Sequence, residues 1–234
     1  MGMSSAGHVP GRVIEHLRGR FSSRSNLIER DMAEKLRGAY DSNLTYGTAT
    51  QNATELTTQF PESALSNQLQ AVARAISARS ALSASRQVFI VEHGGFDTHS
   101  NQARSLPELQ AELNDAIVAF SQAMDELTIG SDVTLFTASD FGRSLAVNGD
   151  GTDHGWGAHH FVVGGAVQGH QIYGNIPVAD FGHELDAGGG RLIPTLSVDQ
   201  YAAPLGRWFG LTEGELATAL PNLSNFGGPG LTFV

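Results

Sequence analysis

The chain has 234 residues, with 24 Asp and Glu against 14 Lys and Arg, and it contains no cysteine. A net charge of −10 repels nucleic acid and anionic membrane surfaces. The lack of cysteine excludes disulfides, thiolate nucleophiles, iron–sulfur clusters and cysteine-based zinc sites, and no apolar run approaches the length that crosses a bilayer.

Charge is uneven along the chain. Arg12, Arg18, Arg20, Arg24, Arg30, Lys35 and Arg37 make up half of the basic residues. Such a run reads first as a solvated helix face and second as a contact surface. Residues 1–64 form a peripheral helical and loop segment, with helices expected near 10–20 and 25–40. Ser25 or Asn26 would cap the second, with Leu27, Ile28, Met32 and Leu36 on one side. The polar stretch "SNLTYGTATQNATE" reads as loop.

Residues 65–234 carry the stronger signals. Leu65, Leu69, Val72, Ala73 and Ile76 follow helical spacing. "QVFIV" (87–91) is a short apolar run rich in β-branched residues, which predicts a buried strand. A long helix follows, with Leu106, Leu109, Leu113, Ile117, Phe120, Met124 and Leu127 on one face and Gly130 placed to end it. "VTLFT" (133–137) and "HFVVGGAV" (160–167) predict further strands, and "QIYG" a short fourth. Ser197 is placed to cap a helix containing Pro204, and Thr212-x-x-Glu215 has the form of a capping box for a last one. Buried strands alternating with helices predict an α/β fold, with the sheet parallel where the long helix crosses over.

The chemistry-bearing residues cluster after the predicted strands. "HGGFDTH" follows the first and "SDFGR" the second. In open α/β sheets ligands bind beyond the carboxyl ends of strands, so the two clusters are expected to converge. Asp97 and His99 have the donor types that suit zinc, manganese or iron. The competing reading makes Asp97 or Ser100 a helix cap and His99 a surface residue. Asp140 reads as a cap, a ligand or a base. "GTDHG" adds Asp153 and His154, and His159 and His160 must point to opposite faces of the next strand. Arg143 could hold an anionic substrate oxygen bidentately or form a surface ion pair. No Gly-x-Ser-x-Gly, His-Glu-x-x-His or P-loop occurs.

The stretches "GGFDTHSNQ", "FTASDFGRSLAVNGDGTDHGWGAHHFVVGGAVQGHQIYG", "RLIPTLSVDQYAAPLGRWFG" and "LPNLSNFG" resemble domain-of-unknown-function family 1501, of the alkaline phosphatase and sulfatase clan. The resemblance runs from about Phe60 to Phe226. It implies an alkaline-phosphatase-like sheet flanked by helices and lacking the N-terminal half usual in the family. It also implies divalent metal bound by Asp97, His99, Asp140 and His154, zinc first and manganese or iron after it. Asp153 is then a neighbour or an outer partner. Where many clan members have His after the Asp, this chain has Phe141.

The implied activity is metal-dependent hydrolysis of a small-molecule phosphate or sulfate ester, with Arg143 as the catalytic side chain. The alternative is a non-catalytic metal-binding or structural module that keeps the fold. No hydroxyl of Ser4, Ser5 or Thr98 has the context of a nucleophile. The expected partners are a missing N-terminal half or a second copy of the chain, with no nucleic acid and no membrane. No export signal is read in the chain, and the family resemblance implies an exported, periplasmic setting.

Overall fold

The computed structural model describes residues 26–227 and 230–234. The helix expected near 10–20 lies outside them. The chain divides into two compact units, one reaching to Leu56 and including Ala71–Val88, the other comprising Thr57–Gln70 and Phe89–Val234. Helix α2, Ala64–Ser77, contributes residues to both.

The first unit holds α1, Leu27–Gln51. Asn26 caps it, its side chain accepting from the Ile28 amide at 3.0 Å. The helix runs on into the stretch whose composition reads as loop, as far as Gln51. The Thr45 and Thr50 hydroxyls explain this, donating back to the Asp41 and Tyr46 carbonyls at 2.9 and 2.8 Å. Groups that would otherwise favour turns are thereby satisfied inside the helix. Leu27, Ile28, Met32 and Leu36 are exposed on it.

The second unit is mixed helix and small antiparallel sheet. Its long helix α3 spans Gln102–Glu126 and buries Ala116, Ala119, Phe120, Ala123 and Met124. The chain leaves α3 through Thr128 at φ 55, two residues before the expected Gly130. At its last turn, the Glu126 carboxylate accepts from the backbone and hydroxyl groups of Thr57 and Thr58 at 2.7–2.9 Å. These bonds pull its pKa down to about 2.

Four short strands follow: β1 Thr134–Phe136, β2 Gly142–Asn148, β3 Gly151–Gly155 and β4 Val162–Gly164. They form two separate antiparallel pairs, β1 with β4 and β2 with β3. The single parallel-type sheet expected from the alternation is therefore corrected. The run 87–91 is extended but joins no ladder among the described residues, and Val88, Phe89 and Ile90 are exposed. Without a ladder partner for that run, α3 is no crossover between paired parallel strands. "QIYG" likewise forms no strand.

Helices α4, Val198–Phe209, and α5, Glu213–Ala219, each begin with a reciprocal capping box, Ser197 with Gln200 and Thr212 with Glu215. Pro204 lies within α4, buried, without interrupting it. Tyr201 of α4 donates to the Thr137 and Phe161 carbonyls at 3.1 and 3.4 Å. It thus ties the helix to the end of the β1–β4 ladder, and burial pushes its phenol up to about 12.

Candidate metal centre

The centre is built on the β2–β3 hairpin. The ladder pairs Arg143 with His154 and Gly142 with Gly155. Residues 98–102 lie along the hairpin's turn end. There the Thr152 amide donates to the Thr98 carbonyl at 3.3 Å, and the Gln102 amide to the Asp150 carbonyl at 3.0 Å. Gly151 permits this approach, because a Cβ there would fall inside the Thr98–His99 backbone. The short segment carrying Asp97 and His99 is thus delivered to the side of β3 that carries His154.

Three donor atoms meet. Asp97 Oδ1 is 3.0 Å from His99 Nε2 and 2.8 Å from His154 Nε2, and the two imidazole nitrogens are 3.2 Å apart. One carboxylate and two imidazoles, with donor atoms this close, form a group that could hold a divalent ion. All three side chains are about half exposed, so the centre is open to solvent on one side. The hydrogen bond from His154 and then that from Arg143 hold the Asp97 carboxyl below its ordinary pKa. It therefore stands ionised at neutral pH, as a ligand must be.

Arg143 is mostly covered, its side chain 18% exposed. Its Nη1 donates to Asp97 Oδ1 at 2.8 Å, its Nε to Thr152 Oγ1 at 3.1 Å, and its Nη2 to the Thr152 carbonyl. A guanidinium has five N–H groups. The three in use leave one on each Nη. The Phe141 ring lies flat on the His154 imidazole, centroids 4.2 Å apart and planes 5° apart, which fixes the ring's orientation.

Asp140 is not in the group. Phe141 and Arg143 both face the cluster, while Asp140 lies before β2 begins at Gly142. Its side chain is exposed in the bend before β2. The alternative of Asp97 or Ser100 as helix cap does not hold, since Asn101 occupies the cap position of α3, in left-handed conformation and without a side-chain cap bond. His160 lies elsewhere, its Nδ1 3.3 Å from the Thr137 hydroxyl and its ring stacked on Tyr201. Burial, then His159, lowers its pKa.

Asp153 has a larger part than its place beside His154 suggests. Its Oδ1 is 3.5 Å from His99 Nδ1 and accepts from Asn148 Nδ2 at 2.9 Å, while its Oδ2 is 3.7 Å from Arg191. The Asn148 bond, then the charges of His99 and Arg191, lower its pKa. Arg191 had no signal in the sequence. It arrives from a remote loop that no periodicity connects to the hairpin.

The family model described as protein of unknown function DUF1501 matches residues 12–220. The chain belongs to this family. No curated protein and no solved structure matches it. The matched span of this DUF1501 chain includes every residue of the cluster, along with Phe141, Arg143, Asp153 and Arg191. No helix among the described residues is long and apolar enough to cross a membrane.

Proposed function

We propose that the chain is a metal-dependent hydrolase-like protein of the alkaline phosphatase and sulfatase clan, acting on phosphate or sulfate esters. The observation that carries this reading is the meeting of Asp97, His99 and His154 beneath a guanidinium with two N–H groups to spare. The donor set of one carboxylate and two imidazoles suits zinc, with manganese or iron next. Such an ion would supply Lewis acidity toward an ester oxygen. Asp97 contributes the negative charge of the centre. Arg143 orients the oxyanion and offsets charge that grows on it during transfer. Phe141 keeps the His154 ring from turning. The half-exposed face leaves room for a substrate to enter.

A second reading, a metal-binding module without catalysis, draws support from the hydroxyls. Thr98, between the two ligands Asp97 and His99, is only 5% exposed, and its Oγ1 meets no partner. The Thr152 hydroxyl is already engaged by Arg143. Neither is placed as an open nucleophile.

The test is metal content by plasma mass spectrometry on the wild-type chain and on a His154→Ala, Asp97→Ala double variant. Turnover of a panel of phosphate and sulfate monoesters is then measured on the loaded protein. Near-stoichiometric metal lost in the variant, with turnover, supports the hydrolase. Metal without turnover supports the module. No metal in either protein after reloading sinks both.

A further inference from the structure

We propose that Asp153 and Arg191 are positioning residues of the metal centre, and that the glycine-rich loop 182–193 exists in this fold to hold them in place. The proposal rests on the metal reading above and adds an outer support that reaches the ligands through His99.

The reasoning starts from the imidazole. A neutral ring has one N–H and one lone pair, and only the lone-pair nitrogen can bind a metal. In His99, Nε2 faces Asp97 and His154, while Nδ1 faces Asp153 Oδ1 at 3.5 Å. Once an ion lies between Nε2 and the Asp97 carboxylate, which is the nearer at 3.0 Å, the ring proton belongs at Nδ1, where Asp153 is placed to accept it. A ligating histidine needs such a partner to fix its tautomer and ring angle.

Asp153 is itself held at both oxygens, by Asn148 at 2.9 Å and by Arg191 at 3.7 Å. Asn148 lies on the same hairpin, but Arg191 has to be brought in. Asp186 does this. Its Oδ1 accepts from the Gly188 and Gly190 amides at 2.8 Å each, and its Oδ2 from the Gly182 amide at 2.9 Å. These three bonds hold its carboxyl ionised, the Gly182 bond most strongly. Gly188, Gly189 and Gly190 run at φ of 105°, 65° and 70°, three left-handed residues in succession. Side chains would strain that path.

The loop is stitched to β2. The Leu145 and Ala146 amides donate to the Gly190 and Gly189 carbonyls at 3.0 and 3.2 Å. The next residue is Arg191, and its Nη1 donates back to the Gly188 carbonyl at 3.0 Å. The turn therefore fixes the base and the head of the arginine together. Asp186 holds the glycine turn that leads into Arg191, and contacts run on from Arg191 to Asp153 and His99.

Zinc affinity is measured by competition with a chromophoric chelator, on the full chain and on Asp153→Ala, Asp153→Asn and Arg191→Met. Nitrogen-15 spectra of the zinc-loaded histidines report which ring nitrogen of His99 carries the proton. Asp153→Ala is expected to lose roughly 10- to 100-fold in affinity and the protected Nδ1–H signal. Asp153→Asn, which keeps an acceptor oxygen, recovers part of the loss. Arg191→Met loses severalfold. A thermal melt separates these effects from unfolding, and the Asn and Met variants carry the test if the Ala variant does not fold. Wild-type affinity and an unchanged Nδ1–H signal in all three variants would overturn the proposal while leaving the metal site standing. Failure of the wild-type chain to bind zinc would overturn the metal reading and this proposal with it.

Discussion

Arg143→Gln separates two things that the guanidinium does at the centre. Its Nη1 is 2.8 Å from Asp97 Oδ1, and a carboxylate oxygen lies roughly 2.1 Å from a zinc it binds, so the cation stands within about 5 Å of the ion. Charges of +1 and +2 at that separation, in the water-like medium of a half-exposed site, repel by an energy worth about tenfold in affinity. Replacing Arg143 with Gln is therefore expected to tighten zinc binding by about tenfold. The same change removes the two free N–H groups and should weaken the binding of inorganic phosphate to the loaded protein. Isothermal titration with zinc, and then with phosphate, reads both effects on one sample at pH 7.5. Asp97 stays ionised there, so the change in zinc affinity is not a change in the protonation of that carboxylate. Zinc binding that weakens, or does not move, would refute the reasoning. It would mean that Arg143 matters through its bonds to Thr152 and Asp97, by holding the carboxylate in place, and not through its charge.

Glu126→Gln tests the clasp at the end of α3. The folded pKa of Glu126 is pulled from 4.5 down to about 2, so its stabilisation is full above pH 4.5 and drains away as pH falls toward 2. The variant should melt below wild type at pH 7, with the two curves converging near pH 2, and a gap that persists at low pH would count against the clasp. Gly142→Ala places a Cβ in the Gly157 carbonyl oxygen, an overpacking of backbone that should cost about 1–3 kcal/mol or more; an unchanged urea midpoint would show that β2 and its neighbour are not so close. Ser197→Ala removes the α4 cap and should cost about 1 kcal/mol by the same denaturation, while a loss under a few tenths would show that the box contributes little.

The parts of this fold that the sequence made legible are those whose causes are local. Ser197 and Thr212 mark the starts of α4 and α5 because a cap is decided within four residues of chain. Asn26 marks the start of α1 for the same reason, but the end of that helix was hidden. Thr45 and Thr50 count as turn formers by type and act as helix residues once their hydroxyls bond back one turn. The run 87–91 fails differently. Its residues suit a strand, yet a strand is a relation between two segments, and the partner is not written in either one. The same divide passes through the candidate site. Asp97, His99 and His154 could be named from their donor chemistry, and Gly151 is the residue that lets the fold bring them together. Asp140 has equally good chemistry and stands outside, in the bend before β2 begins. Residue type says which side chains can bind a metal. The close approach at Gly151 decides which of them meet. Arg191 carries no mark in its own neighbourhood, because the carboxylate it meets, Asp153, lies on β3.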